Sequence, residues 1–176
     1  TSGSNSFVTG VAINDSNGNN FYDVGEARSG INVAVTTAGS AIVNDLTETA
    51  GGYSAAVNAG SHTVTFSGGG LAASVAVTVD SGATNAKIDL SGTDKILTSV
   101  NTTLGAGAKD LVLLGAVVAN GTGNTLANII TGSRGANTLA GAAGNDTIVM
   151  SASQLVGSVD IFDGGADNDT ANFALF

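Results

Sequence analysis

The first half of the chain alternates apolar and polar residues in short runs. Apolar side chains recur at every second position in the runs 31–35, 64–66 and 75–79. This period is typical of a strand with one buried face. Clusters of glycine and small polar residues separate the runs, as turns between strands do. The pattern predicts a β-sandwich of seven short strands, at 7–13, 31–36, 41–45, 53–57, 62–66, 74–79 and 86–90.

The second half repeats every nine residues. Each unit begins with six turn-like residues, has Asn or Asp in sixth place, and carries an apolar residue in eighth place. Such a period predicts a parallel solenoid in which the eighth residue points inward. The units are GNTLANIIT (123–131), GSRGANTLA (132–140), GAAGNDTIV (141–149), and, after five inserted residues, LVGSVDIFD (155–163) and GGADNDTAN (164–172).

Residues 92–122 keep a looser pattern, with Ile96, Leu97, Leu104 and the run 111–114 spaced like irregular rungs. We interpret this stretch as the first coils of the same solenoid. The predicted fold is therefore all-β. A Greek-key β-sandwich over residues 1–91 is followed by a parallel β-roll, or β-solenoid, over residues 92–176.

The composition points to cations rather than nucleic acid. The net charge is −9, from 14 acidic and 5 basic side chains, and there is no cysteine. Binding of phosphate groups requires clustered Lys and Arg, so nucleic acid is not an expected partner. No apolar run approaches the length of a membrane span. A metal without thiol ligands must be held by oxygen, and the hard cation that prefers oxygen in this setting is calcium.

The stretch DSNGNNFYDVGE, residues 15–26, places oxygen donors in the order of an EF-hand calcium loop. Asn20 stands where that loop normally has glycine, and Asn tolerates a left-handed backbone. Strand-like flanks exclude the helix–loop–helix form and leave a calcium loop between strands. The alternative is a solvated polar turn. The expected ligands are Asp15, Asn17, Asn19, the Phe21 carbonyl, Asp23 and Glu26.

The segment TGVAINDSNGNNFYDVGEARSGINVAV resembles the opening of the B-type repeats of staphylococcal serine–aspartate surface proteins. GGYSAAVNAGSHTVTF is similar to the matching strand pair of collagen-adhesin B-type and prealbumin-like sandwiches. The resemblance covers residues 6–90. It implies a Greek-key fold that holds calcium in the loop 15–26.

The nonapeptides resemble the G-G-x-G-x-D-x-U-x repeats of secreted RTX (hemolysin-type) proteins over residues 92–172. The resemblance implies that sixth-place carboxylates of turns two units apart share calcium. Asn replaces Asp at 128 and 137, and Leu126, Ser158 and Asp167 replace the fourth-place glycine. The alternative is a metal-free solenoid with Asn-rich corners. The expected pairs are Asn128 with Asp146, Asn137 with Asp160 or Asp163, and Asp146 with Asp169.

The acidic cluster Asp160, Asp163, Asp167 and Asp169 is the best candidate for a second calcium site, because its charges repel without a counter-ion. Enzymatic chemistry is not expected. His62 is the only histidine and is expected at the surface. A Ser–His–acid triad would have to use it, and no G-x-S-x-G elbow is present.

The sequence thus predicts a non-enzymatic, secreted, extracellular bacterial protein whose folding calcium drives. It would serve as a structural or adhesive component of a cell surface, matrix or fibre. Head-to-tail joining of its own copies is a further hypothesis. Export through a type I channel follows from the RTX resemblance. The alternatives are an accessory region of a larger type I-secreted enzyme (a protease, lyase or lipase) and a glycan-binding module.

Overall fold

The computed structural model describes residues 6–38, 43–82, 84–150 and 157–173, and in these ranges the chain forms sixteen strands and no helix. The first half contains the seven predicted strands with small shifts at their ends. They are β1 (Ser6–Ile13), β2 (Ile31–Thr37), β3 (Val43–Leu46), β4 (Gly52–Val57), β5 (Ser61–Gly68), β6 (Val75–Asp80) and β7 (Ala86–Ser91).

Nine shorter strands make up the solenoid. Its looser first coils follow the sandwich directly, as the apolar rungs of residues 92–122 predicted. The strands are β8 (Lys95–Thr98), β9 (Thr102–Leu104), β10 (Asp110–Leu113), β11 (Gly121–Thr122), β12 (Ile129–Thr131), β13 (Thr138–Ala140), β14 (Thr147–Met150), β15 (Ile161–Asp163) and β16 (Thr170–Phe173).

All the strands belong to two eight-stranded sheets. The first sheet has the order β16-β14-β12-β10-β8-β7-β1-β4, and the second has the order β15-β13-β11-β9-β6-β5-β2-β3. Pairing is antiparallel in the sandwich, except that β1 runs parallel to β7. It is parallel throughout the coils. The all-β class and the solenoid that follows the sandwich are confirmed.

Both sheets run without a break from the sandwich into the solenoid. In the first sheet β7 pairs with β8, so that Leu90 lies opposite Ile96. In the second sheet β6 pairs with β9, so that Val79 lies opposite Thr102. β8 and β9 pair antiparallel with the sandwich and parallel with the next coil, so the direction of pairing changes at these two strands. One apolar core, from Val8 to Ile148, fills the space between the sheets across this junction.

The nonapeptide rule predicts the inward side chains. Two units make one coil, because Ile130 pairs with Ile148 on the same sheet. The eighth residues Ile130, Leu139 and Ile148 are buried. First-place glycines let successive coils approach each other. A Cβ atom on Gly123 would lie 2.2 Å from the carbonyl oxygen of Gly141, which no real side chain tolerates.

The last coil leaves its inward side chains uncovered. Phe162 pairs with Leu139, and Ala171 pairs with Ile148, as the repeat predicts. Among the described residues no further strand covers them, so Phe162 is 41% exposed. Its ring meets that of Phe173 edge to face at 5.7 Å. The solenoid end is therefore apolar and open in residues 157–173.

The prediction that His62 lies at the surface is wrong. His62 is only 1% exposed. It occupies the same face of β5 as Val64 and Phe66, so the period of the strand points it into the sandwich. The ring is accommodated because Nδ1 lies 2.7 Å from Thr37 Oγ1 and Nε2 lies 2.8 Å from Ser81 Oγ. It acts as a hydrogen-bonded core residue.

No helix in the described ranges is long and apolar enough to cross a lipid bilayer.

Candidate cation sites

The loop between β1 and β2 turns sharply around the carboxylate of Asp15. Asp15 Oδ1 accepts the Asn19 amide at 3.1 Å, and Oδ2 accepts the Asn20 amide at 3.0 Å. Asn20 has φ of 60°, so the residue in place of glycine does adopt the left-handed conformation. The sequence therefore specifies the same turn that glycine provides in the EF-hand loop.

Asp23 and Glu26 accept the other hydrogen bonds of the loop. Asn17 Nδ2 and Asn19 Nδ2 each donate to Asp23 Oδ2 at 2.8 Å. These two bonds, Asn17 first, lower the pKa of Asp23. Glu26 is buried and accepts the Ser16 amide on Oε1 and the Asp23 amide on Oε2. Hydrogen bonds thus join the side chains of Asn17, Asn19 and Asp23, whereas the carboxylates of Asp15 and Glu26 accept backbone amides of the loop.

Phe21, predicted to offer its carbonyl, has its amide bound to Asn19 Oδ1 at 2.7 Å. Its ring is 68% exposed. Because its side chain is exposed, Phe21 takes part in the loop through its backbone.

The sixth-place residues of the solenoid form vertical rows, and the amide members of these rows are satisfied by protein groups alone. Asn128 Nδ2 donates to the Lys109 carbonyl of the preceding coil at 3.0 Å, and Oδ1 accepts the Asn124 amide. Asn137 repeats this arrangement with the carbonyl of Ala119 at 2.7 Å. The Asn units therefore cap a carbonyl of the coil before them.

The carboxylate members do the opposite and accept a backbone amide of the preceding coil. Asp146 Oδ1 accepts the amide of Asn128 at 2.8 Å, and Asp160 Oδ1 accepts that of Asn137 at 2.9 Å. Asp169 Oδ1 accepts the amide of Asp146 at 3.0 Å. All three predicted pairings are contacts in the structure, with Asp160 rather than Asp163 facing Asn137.

One carboxylate oxygen in these rows has no partner. Asp146 is 1% exposed, and its buried Oδ2 makes no hydrogen bond to any described residue. A Cβ atom on Gly141 would lie 2.3 Å from this oxygen and 2.3 Å from the Gly164 carbonyl oxygen of the next turn. Two oxygens from stacked turns therefore converge on space that only glycine leaves open.

Two of the three Asp turns also share a backbone conformation that the Asn turns lack. Their second and fourth places are left-handed: Ala142 (φ 81°) and Gly144 (φ 105°) in one turn, Gly165 (φ 94°) and Asp167 (φ 82°) in the next. Places two and four of units 123–131 and 132–140 have no positive φ. Ala142 is strained in this region, because its Cβ approaches the following carbonyl. The turn of Asp160 has no positive φ at its fourth place, Ser158, so Asp in sixth place does not by itself indicate this conformation.

The acidic cluster does not form a single pocket. Asp167 Oδ2 accepts the Gly144 amide at 3.1 Å, whereas Asp163 Oδ1 accepts the Gly165 amide at 3.1 Å. Together with Asp160 and Asp169, each carboxylate of the cluster meets a separate backbone amide. Across residues 6–38, 43–82, 84–150 and 157–173, no three acidic or histidine side chains are grouped to hold a metal by themselves. A cation here would need backbone carbonyl oxygens as well.

Comparison of the chain with protein-family models, with curated proteins and with solved structures finds no match.

Burial raises the pKa of Asp146 above its ordinary value of 3.8, and the carboxylates of Asp169 and Asp167 add to the rise against the lowering effect of the Asn128 amide. With divalent cations removed by a chelator, protonation of Asp146 therefore favours the folded state. The free-energy cost of burying the charged Asp146 carboxylate is present above the raised pKa. This cost is relieved as the pH falls through that pKa.

We predict that the free energy of unfolding of the wild type, taken relative to Asp146→Asn, rises as the pH is lowered from about 7 to about 4. The comparison cancels the titration of the other carboxyl groups. Urea unfolding followed by circular dichroism in chelator measures it. A difference that stays constant with pH would contradict the assignment.

Proposed function

We propose that this chain is a calcium-stabilised structural or adhesive protein that works outside a bacterial cell. The observation that supports it most is the orphaned Oδ2 of Asp146, next to the Gly164 carbonyl of the stacked turn. A buried acceptor without a partner costs about 1–3 kcal/mol. A strained Ala142 in the same turn adds to that cost. A cation between the two Asp turns would offset both.

Calcium fits this donor set better than other common cations. The available ligands are carboxylate and carbonyl oxygens, with no thiol in the chain and its one histidine buried elsewhere. Calcium accepts six to eight such oxygens in flexible geometry. Asp146, Asp169 and the Gly164 carbonyl are the groups of the described residues that we assign to it, and bound calcium would neutralise their charge.

The loop 15–26 is the second site in this proposal. Its carboxylate oxygens would come from Asp15, Asp23 and Glu26, which accept hydrogen bonds within the loop and are not grouped on one point among the described residues. The amides of Asn17 and Asn19 turn their nitrogens to Asp23. Rotation of each amide by half a turn would present oxygen instead. Each amide would then lose its bond to Asp23 and the bond that its Oδ1 accepts from the amide of Asn19 or Phe21.

Such sites act as a folding switch between compartments. Sites with Kd of about 10⁻⁴–10⁻³ M fill at extracellular calcium levels and stay unfilled in the cytosol. Binding to the folded state alone then contributes to folding. A chain with 14 acidic side chains would remain loosely folded before export and tighten outside.

We predict that about 5 mM calcium stabilises the wild type by about 1–2 kcal/mol per filled site, and raises Tm by several degrees. Asp146→Asn should lose the gain of the solenoid, and Asp23→Asn that of the loop. Glu48→Gln, an exposed acid outside both sites, is the control and should keep the full gain. Thermal unfolding by circular dichroism, in calcium and in chelator, measures it. Coincident curves in the two buffers would sink the proposal.

Self-association through the open solenoid end is a second part of this proposal. In the part of the chain that the structure describes, no strand pairs with the outer edge of β15 or β16, and the exposed side chains of Phe162 and Phe173 lie at this end. Unpaired edges and apolar ends favour association. We predict concentration-dependent oligomers in calcium by light scattering, and a shift towards monomer in Phe162→Asp. Val118→Asp, an exposed position away from the open end and outside both calcium sites, is the control. A monodisperse wild-type monomer at high concentration would contradict this part.

A further inference from the structure

The chain contains two Asn–Gly pairs, Asn17–Gly18 and Asn120–Gly121. Asparagine is a chemically labile residue. It loses its side-chain amide when the backbone nitrogen of the next residue attacks the amide carbon, and glycine has no side chain to hinder that attack. The structure gives the two pairs opposite surroundings, so the same dipeptide is expected to react differently at the two places.

The first pair lies in the exposed part of the loop between β1 and β2. Asn17 and Gly18 are both exposed. Gly18 has φ of 71°, and a Cβ atom on it would meet nothing within 4 Å. Among the described residues the Gly18 amide donates no hydrogen bond. The attacking nitrogen is therefore available without the loss of any protein contact.

The side chain of Asn17 is folded back over the same peptide. Its Oδ1 accepts the Asn19 amide at 3.0 Å, and the ring that this bond closes contains the Gly18 nitrogen. The Asn19 amide also stabilises the negative charge that develops on Oδ1 during attack. The departing nitrogen, Nδ2, lies 2.8 Å from Asp23 Oδ2, so it leaves as an ammonium ion beside a carboxylate.

The second pair has none of these features. Gly121 is buried in β11, between β9 and β13, and a Cβ atom on it would lie 2.8 Å from the Leu111 side chain. Asn120 Oδ1 accepts the amide of Thr138 in the next coil at 2.9 Å. This bond directs the side chain towards the next coil. Attack by the Gly121 nitrogen therefore requires local opening of the strand.

We propose that Asn17 is a site of spontaneous deamidation. The Gly18 nitrogen forms a bond to Asn17 Cγ while the bond from Cγ to Nδ2 breaks, and the proton of the Gly18 amide leaves with Nδ2 as ammonia. Water then opens the cyclic imide at one of its two carbonyls, which gives aspartate or isoaspartate. The net reaction converts an amide and water into a carboxylic acid and ammonia, without oxidant or cofactor.

The aspartate product changes the charge of the loop. The hydrogen bond from Asn17 Nδ2 to Asp23 is replaced by two facing carboxylates, which repel each other when no cation lies between them. The affinity of a calcium loop depends on the number of its charged ligands. Tighter calcium binding after deamidation is therefore expected, and this consequence rests on the proposed function, whereas the deamidation itself does not.

The test follows both asparagines in one sample. The protein is incubated in mildly alkaline buffer with chelator, folded or unfolded in urea, and peptide mapping by mass spectrometry measures conversion with time. We expect Asn17 to convert in the folded protein at least as fast as in the unfolded chain. Asn120 should convert about tenfold more slowly when folded. A rate at Asn17 that folding lowers, as it lowers the rate at Asn120, would overturn the proposal.

A matched pair of variants tests the attacking nitrogen. Gly18→Ala places a methyl group beside it and should slow conversion of Asn17 about tenfold, relative to the wild type. The chain already holds an alanine, Ala142, at φ of 81°. Gly30→Ala is the control, because Gly30 has φ of 75° and equally open surroundings. It should leave the rate unchanged. Equal rates in the two variants would contradict the assignment.

Repeating the incubation in calcium separates this inference from the proposed function. Calcium held by Asn17 Oδ1 would remove the bond from the Asn19 amide and slow conversion. Slower conversion in calcium than in chelator would support both proposals. Equal conversion in the two buffers would support the modification site and count against calcium in the loop. No conversion in either buffer, with a Tm that calcium still raises, would overturn the modification site alone.

Discussion

The structure depends on the backbone hydrogen bonds that carry both sheets across the junction between sandwich and solenoid. A β-solenoid built from short strands has little to hold its first coil, because each coil is stabilised mainly by its neighbours. Here β7 and β6 supply a ready edge to β8 and β9. The sandwich therefore acts as the cap on which the coils are built, and its core continues into theirs through Ile96 and Leu111.

Distance from this cap changes what each coil needs. Coils near the sandwich have Asn in sixth place, whose amide both donates and accepts, so Asn128 and Asn137 close their turns with protein groups. The farther coils have Asp, which can only accept when ionised. Asp146 uses one oxygen for the amide of Asn128 and leaves the other without a donor. The chemistry of one side-chain atom thus separates the Asn turns, whose amides find protein partners, from the turn of Asp146, which keeps a buried acceptor unpaired among the described residues.

Much of this arrangement was predictable from the sequence, because it rests on periods. The two-residue period located the sandwich strands, and the nine-residue period located the inward rungs Ile130, Leu139 and Ile148. The same period implied the facing pairs of the sixth-place row. The order of donors in residues 15–26 predicted which side chains would meet, and Asn20 adopted the backbone that its place required.

Other features depended on contacts between distant residues, which a period does not encode. The continuity of the sheets arises from the pairing of β6 with β9, which are separated by the whole of β7 and β8. The cleft on the outer face of the first sheet combines residues of β1, β7, β8 and two loops. The strand period places His62 on the same face as Val64, which predicts burial. An isolated polar residue nevertheless favours a surface position, because the sequence does not show the partners that a buried imidazole needs. Its partners Thr37 and Ser81 lie far away in the sequence.

The Asn coils are closed by the protein itself, and we propose that the Asp coils depend on calcium. Hydrogen exchange with mass spectrometry, in calcium and in chelator, tests it most directly, because it reports each strand separately. We expect chelation to speed hydrogen exchange in β14, β15 and β16, and to leave β12, β13 and the sandwich core protected. Equal loss of protection in all strands, or none in any, would contradict it.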